Sequence, residues 1–325
     1  MNYLMLSVGR RCELLSDFKK TLGKESKIIA TDLSPYAPAL CFADAHYIVP
    51  RIDSDNYIDI ILDICKKEKI NAITTFIDPE IEILANNRDR FEDIGVEVLA
   101  PYKETAVLCF DKYRMYEYLK KNNIPTVETW DNFDSFYKSF ESGEFTFPVF
   151  VKPRTGSGSV GARKITNIES LKEALLNDSS LIIQEYMDCE DFDADVYIDT
   201  ISHKAVAAFS KRKLESRIGG ASKTISFKDE KLFDFISRIV EMFKFNGPVD
   251  MDFFYKDGKY YLSEINPRFG GAYLHAYGAG IDFIELIENN LNGITNKPLF
   301  GNYEDDIVML MFDSVVIKKN EELLY

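Results

Sequence analysis

The chain has 325 residues, with 39 Lys and Arg against 53 Asp and Glu, a net charge of −14, and 46% hydrophobic and 28% charged residues. These fractions are ordinary for a folded chain long enough for two or three domains and for a core that needs no cross-links, and they exclude disordered, collagen-like and coiled-coil classes. The acidic balance also excludes a general nucleic-acid binder, which carries a basic footprint.

Residues 3–8 read as a buried strand, 11–22 as a helix and 27–31 as a second strand. A helix at 56–67, a strand at 72–76, a helix at 79–91 and a strand at 96–99 continue the alternation. Strand–helix–strand repetition predicts a parallel sheet with helices on both faces, a Rossmann-like first domain over 1–105. Pro79 suits a first helical turn, where its missing N–H costs nothing. A second unit, 106–190, holds helices at 111–121 and 133–142, an apolar strand at 147–152, a helix at 168–176 and a strand at 181–184. The third unit, 191–300, reads as antiparallel. There 193–199 and 205–210 alternate about Ser202-His203-Lys204, and 249–255 and 259–265 about Lys256-Asp257-Gly258, a hairpin-turn signal. Helices at 231–243 and 281–291 complete it, and 301–325 is a tail in which 305–316 is apolar enough to pack back as a strand or to support a homodimer contact.

Two stretches carry chemistry. Lys152 ends an apolar strand and is followed by Arg154-Thr-Gly-Ser-Gly-Ser-Val-Gly161. A strand holds the ammonium rigidly, and glycines let backbone N–H groups approach phosphate oxygens. No Gly-Lys-Ser/Thr closes the loop, so it is not a Walker loop, and by itself it reads equally as a surface turn. The second stretch pairs Val249-Asp-Met-Asp-Phe-Phe254 with Leu262-Ser-Glu-Ile-Asn-Pro-Arg268. Residues two apart on a strand share a face, so Glu264 and Asn266 join Asp252 of the neighbouring strand in an oxygen-rich cluster suited to magnesium held with phosphates. Leu181-Ile-Ile-Gln-Glu-Tyr-Met187, followed by Asp191 and Asp193, could present an adenine edge and a ribose acid, or be a strand with an acidic loop.

The ordered set Asp111-Lys112, Val151-Lys152-Pro153, the loop 155–161, Gln184-Glu185-Tyr186-Met187, Asp252 and Glu264-Ile-Asn-Pro-Arg268 resembles the ATP-grasp superfamily, and within it proteins similar to the carbamoyl-phosphate synthase large subunit. Ser7-Val-Gly-Arg-Arg11 and Ile77-Asp-Pro-Glu80 resemble that group's first domain. The resemblance implies a Rossmann-like domain followed by a two-lobed ATP-grasp fold that uses ATP and magnesium, with manganese as the substitute. It implies that Lys112 and Lys152 meet phosphates and that Thr155, Gly156, Ser157, Gly158, Ser159 and Gly161 form a lid. Glu185, Tyr186 and Met187 would form the adenine linker, with Asp191 or Asp193 on the ribose. Asp252, Glu264 and Asn266 would ligate the metal, and Arg268 with Lys152 would stabilise the transferred phosphoryl group. The implied activity is an ATP-dependent carboxylate–amine or carboxylate–thiol ligase working through an acylphosphate, with small-molecule acids and amines as partners. A chain of this length holds one such unit, so full carbamoyl-phosphate synthesis is not implied.

The substrate side is read from charge. Gly9, Arg10 and Arg11 follow the first strand, where open α/β sheets bind ligands. Arg212 and Arg217 lie in the basic run 211–217, which reads either as a substrate contact or as a solvated loop. Asp78 and Glu80 could also reach substrate, or Asp78 could cap the helix at Pro79. His275 reads as a packed structural residue. An alternative is a dinucleotide-dependent oxidoreductase with Asp32 on a ribose, but 7–13 lacks G-x-G-x-x-G. A nucleotide-binding module without catalysis is the other. Five widely spaced cysteines without C-x-x-C fit a reducing, cytoplasmic compartment. Neither a secretory leader nor an apolar run approaching the ~18 residues of a membrane span is expected.

Overall fold

Strand β1 (Asn2–Leu6) turns Tyr3 and Met5 to one face and Leu4 and Leu6 to the other, and all four are buried, as in a strand covered on both sides. In the computed structural model, which describes residues 1–156, 161–217 and 220–323, it is followed by α1 (Cys12–Leu22), β2 (Lys27–Asp32), β3 (Ala45–Ile48), α2 (Tyr57–Glu68), β4 (Ala72–Thr75), α3 (Asp78–Asn86), α4 (Arg88–Glu92) and β5 (Glu97–Val98). The strands are parallel in the order β3-β2-β1-β4-β5. Leu4, Leu6 and Ile73 share a core with Ile58, Ile61 and Leu84, while Tyr3 and Met5 share another with Leu15 and Phe18. That second core continues into the third sheet, where Phe18 meets Phe269 edge-on at 5.7 Å. The helix expected over 79–91 is two helices, because Asn87 (φ −113°, ψ 12°) leaves helical geometry. Strand order reverses between β1 and β4, so the ligand crevice lies beyond the turn after β1. Asp32 fixes that turn by accepting the N–H of Gly9 at 2.8 Å and of Ser34 at 2.9 Å. The acid on which the oxidoreductase alternative depends is therefore engaged with backbone.

The next elements are α5 (Lys103–Phe110), α6 (Lys112–Lys121), β6 (Thr129–Trp130), α7 (Phe133–Glu141), β7 (Val149–Pro153), β8 (Arg163–Ile165), α8 (Ile168–Asn177) and β9 (Leu181–Glu185). They build an antiparallel sheet, β6-β9-β7-β8, over a core of Trp130, Phe136, Val149, Val151, Leu171 and Ile183. Asn132 and Asn167 start α7 and α8 by accepting the N–H of Ser135 and Ser170, satisfying donors that a helix start leaves free.

The third set comprises β10 (Glu190–Ile198), β11 (Ala205–Arg217), β12 (Gly220–Ser226), α9 (Glu230–Val240), β13 (Gly247–Lys256), β14 (Lys259–Asn266), α10 (Tyr273–Gly278), α11 (Phe283–Leu291) and β15 (Val308–Leu310). The antiparallel order is β14-β13-β10-β11-β12-β15. Phe192, Ala194 and Val196 of β10 pack with Leu232, Phe235, Ile236 and Ile239 of α9, so alternation turns Asp191, Asp193 and Asp195 to the opposite face. Strand β11 runs on to Arg217, through the basic stretch, because Lys211 and Lys213 find carboxylates on neighbouring strands. Leu262 N–H donates to Pro125 O at 3.0 Å and Thr126 Oγ1 to Leu262 O at 2.8 Å, joining the second sheet's segment to the edge of the third. Among the described residues, no helix is long and apolar enough to cross a membrane.

Candidate active site

The turn at Asp257-Gly258 (φ 52° and 78°) pairs Lys256 with Lys259, Tyr255 with Tyr260, Phe254 with Tyr261 and Phe253 with Leu262. Continued unchanged, that register would set Asp252 opposite Ser263 and leave Glu264 on the other face. A bulge between Asp252 and Phe253 shifts it by one, so Asp252 faces Glu264 and Asp250 faces Asn266. On the other side of β13, Asp252 pairs with Asp193 and Asp250 with Asp195, and Lys211 of β11 faces Asp193. Two rows of polar side chains thus cross the sheet.

Lys211 is fully buried, with Nζ 3.1 Å from Asp193 and ion-paired to Asp195. Lys213 lies 3.0 Å from Asp191 and is ion-paired to Asp252. Burial pulls both ammonium groups down, but the surrounding carboxylates hold them above the usual lysine range. Burial raises Asp252 to about 6 against the pull of Lys213, and Asp195 to about 6 against that of Lys211. Asp250 rises further, because Asp193, Asp252 and Asp195 add like charge to its burial. The chain passes this row without a side chain. A Cβ on Gly270 would lie 2.6 Å from Asp195 Oδ1 and 2.8 Å from Asp250 Oδ1.

Two lysines reach the same face from the second sheet. Lys152 on β7 places Nζ 3.9 Å from Glu264 Oε2, and Lys112, which opens α6, places Nζ 3.6 Å from Glu264 Oε1. Asp111 sets this up. It accepts the N–H groups of Tyr113 and Arg114 and takes Arg154 Nε at 2.8 Å, while Lys112 N–H donates to Arg154 O at 3.0 Å. Burial lowers the pKa of Lys152, with Glu264 opposing and Lys112 reinforcing the shift. Arg268, just past β14, donates to both oxygens of Asp78, at 2.8 and 3.1 Å, and lies 4.0 Å from Asp250. Register sets Asp252 opposite Glu264, with Asn266 two residues along on the same face; these are oxygen donors beside cations, a donor chemistry that fits magnesium held with phosphates and not a soft metal.

Other expected residues divide. Glu185 ends β9, accepts Lys256 Nζ at 2.8 Å and donates its N–H to Glu128 O at 2.8 Å. Lys164 Nζ sits 3.9 Å over the Tyr186 ring, and Met187 is buried. Asp193 does not stand with this linker. Its side chain is 7% exposed and engaged with Lys211, whereas the Asp191 side chain is 41% exposed, so a ribose acid at Asp193 is contradicted by burial. Lys112 Nζ donates to Gly156 O at 2.6 Å, and Thr155 is exposed. Gly161 (φ 78°) lies just before β8, and Ser157, Gly158 and Ser159 lie outside the described residues. Glu80 is buried and hydrogen-bonded by the Tyr57 and Thr75 hydroxyls, so it does not face a ligand, and Asp78 holds Arg268 where a helix cap was the other expectation. Arg212 is a further correction. Alternation turns it away from Lys211 and Lys213, and it pairs with Glu190 at 3.1 Å on the outer surface. His275 is buried, with Nδ1 2.7 Å from Thr224 Oγ1, and burial lowers its pKa to about 4. Gly9, Arg10, Arg11 and Arg217 do come together, around a cavity of about 610 Å³. Sequence reasoning passed over Asp195 and Asp250, and met Lys211 and Lys213 only as members of the basic run 211–217. Their signal was parity with Asp193 and Asp252, legible only once β11 is known to continue past Ser210.

Residues 109–272 match the model of the ATP-grasp domain, just over half the chain. This chain belongs to the ATP-grasp family. Residues 3–99 match the PylC-like N-terminal domain, so the parallel sheet and the ATP-grasp unit are recognised separately. The ATP-grasp chain is 23% identical over 259 residues to the arginine-specific carbamoyl phosphate synthase large chain of Geobacillus stearothermophilus, covering 76% of this chain but 24% of that one. It is 26% identical over 206 residues to D-alanine–D-alanine ligase of Clostridium botulinum, covering 57% of this chain and 68% of the relative. The biotin carboxylase domain of Hydrogenobacter thermophilus 2-oxoglutarate carboxylase, solved with MgADP and bicarbonate, superposes with a TM-score of 0.72 at 17% identity, over 94% of this chain and 73% of that one. At that identity it shows the shared fold alone.

Proposed function

We propose that this ATP-grasp protein is an ATP-dependent ligase that activates a carboxylic acid as an acylphosphate and passes the acyl group to an amine, or to a thiol. The observation that carries the reading is the convergence of Lys112 and Lys152 on Glu264, at 3.6 and 3.9 Å, beside Asp252 and Asn266. Cations fit to meet phosphate oxygens thus stand beside oxygens fit to hold a divalent ion, where the second sheet's lysines reach the third sheet. Magnesium, or manganese in its place, would be held by Asp252, Glu264 and Asn266 and would supply charge neutralisation to the phosphates. Glu185, Tyr186 and Met187 would receive the adenine, Asp191 the ribose, and the loop 155–161 would cover the phosphates and exclude water.

A carboxylate oxygen of the acid attacks the γ-phosphorus. The bond from phosphorus to the bridging oxygen breaks, and ADP leaves with that electron pair. Lys152 and Arg268 face the charge that spreads over the transferring group, and preorganised cations in a dry cleft are worth more than the same charges in water. The amine then attacks the acyl carbon, phosphate departs, and the amine loses a proton to solvent. The ligases among its relatives support this reading.

The test is ADP release from ATP and magnesium across a grid of carboxylic acids with amines. Release is expected only with a particular pair, and it is expected to vanish in Glu264→Gln while circular dichroism stays unchanged. Full activity in that variant overturns the metal assignment. Thermal stabilisation by ATP without turnover on any pair leaves a nucleotide-binding module.

A further inference from the structure

Six separate parts of the chain line the 610 Å³ cavity: the turn after β1 with the start of α1, Pro38 and Phe42, Phe76 and Ile77 after β4, Arg217 with the start of β12, the stretch from Gly270 to Leu274, and the tail from Met311 to Val316. Its volume lies in the range of sites that bury a whole small molecule, well beyond what the carboxylate of a two- or three-carbon acid fills. Its charges are not equivalent. Arg10 and Arg217, on the rim, both turn to Asp313 of the tail, at 3.9 and 4.0 Å. Arg11 lies deeper. Its Nη1 donates to Gly270 O at 3.0 Å, its single side-chain hydrogen bond among the described residues, so most of its five N–H donors remain for a ligand.

Gly270 connects this cavity to the charged rows. Its Cα position lies against Asp195 and Asp250, where any Cβ would clash, and its carbonyl holds Arg11. The end of the cavity at Arg11 is therefore the end nearest Arg268 and the metal-ligand row. The apolar part of the lining begins at Phe76, whose ring lies 5.9 Å from the Arg11 guanidinium, and includes Phe42, Leu274, Met311 and Phe312, with Arg10, Arg217 and Asp313 at the rim. The Phe312 side chain belongs to the tail and is 84% exposed, an apolar wall with nothing from the described chain packed over it.

We propose that the acid this site activates carries an apolar or aromatic body, with its carboxylate on Arg11 beside Gly270 and its body along Phe42, Phe76, Leu274 and the tail residues Met311 and Phe312. The inference rests on the ligase reading for the word "activates" and on the cavity for the rest. The tail, which belongs to neither matched domain model, is then the part of the chain that sets substrate choice.

The test is calorimetric binding of 3-phenylpropionate and of propionate to the full chain in the presence of MgADP. The aromatic acid is expected to bind roughly ten-fold or more tighter, the factor that burying a ring provides. Arg11→Gln should weaken both acids by roughly ten-fold. Phe312→Ser, at an exposed position that the fold does not need, should weaken 3-phenylpropionate several-fold and leave propionate unchanged. Equal binding of the two acids, binding of neither, or indifference to Phe312→Ser overturns the inference. Acid-dependent ADP release is read separately. Selective aromatic binding without stimulated release removes the ligase reading and leaves the cavity assignment standing, whereas release driven by glycine or propionate with no aromatic preference keeps the ligase and overturns the cavity assignment.

Discussion

Arg268 grips Asp78 with two parallel hydrogen bonds, 2.8 and 3.1 Å long, across 190 residues of chain. The pair links the first domain to the ATP-grasp unit, with both side chains nearly buried, at 12% and 11% exposure. A planar guanidinium held by both oxygens of a carboxylate has a defined direction. On the ligase reading that direction is toward the phosphoryl group. Asp78→Asn keeps the shape but loses one acceptor and the charge. It should cost about 3 kcal/mol of stability, as for breaking a buried pair, and lower kcat roughly ten-fold with KM for ATP little changed. Urea unfolding and steady-state kinetics check the two parts.

Neighbours on β11 should differ sharply. Lys211 is fully buried between Asp193 and Asp195, whereas Arg212 pairs with Glu190 on the outer surface. Lys211→Met leaves buried carboxylates without their cation and should lose about 3–5 kcal/mol. Arg212→Met should stay within about 0.5 kcal/mol. Equal midpoints for the two variants in chemical unfolding would contradict the side-chain parity described for this strand.

Glycine is required at Gly270 and not at Gly278. A Cβ at Gly270 would meet carboxylate oxygens at 2.6 and 2.8 Å, while at Gly278 nothing lies within 4 Å. Gly270→Ala should cost about 1–3 kcal/mol through forced displacement and abolish acid-stimulated ADP release. Gly278→Ala, at the end of a helix, should be neutral or stabilising by up to about 1 kcal/mol. Thermal midpoints of the two variants make the comparison.

His275 should make the fold acid-sensitive above pH 4. Its pKa is lowered to about 4 in the fold, first by burial and then by Lys211, from about 6.5 in the unfolded chain. The unfolded state takes up the proton first, so this contribution is complete above pH 6.5 and is lost as pH falls from 6.5 to 4. The loss is about 2 kcal/mol by pH 5. His275→Gln keeps a partner for Thr224 and should flatten the stability profile between pH 7 and 5. An unchanged slope in unfolding titrations would show that another group carries it.

Much of the architecture was legible locally. Short apolar runs marked the buried strands of the first domain, Pro79 marked the start of a helix, and Asp257-Gly258 marked the hairpin. The spacing Glu264-Ile-Asn266 put two oxygen-bearing side chains on one face, because side-chain direction in a strand repeats every two residues. These are properties of neighbours in the chain, so the sequence by itself determines them. Strand β3 was missed because its residues are only partly buried, so it lacks the apolar run that marks the others.

What only the tertiary structure decided is how distant segments meet. The turn alone would have set Asp252 opposite Ser263; the bulge beside Phe253 brings it to Glu264. Whether Lys211 or Arg212 points inward depends on β11 continuing past Ser210, and that depends on carboxylates supplied by β10 and β13. Asp78 reaches Arg268, and the tail reaches the turn after β1, only because three sheets pack together. Local propensity ranges over a few residues, whereas register, burial and charge pairing are settled by strands far apart in sequence, whose contacts form only when the whole core closes.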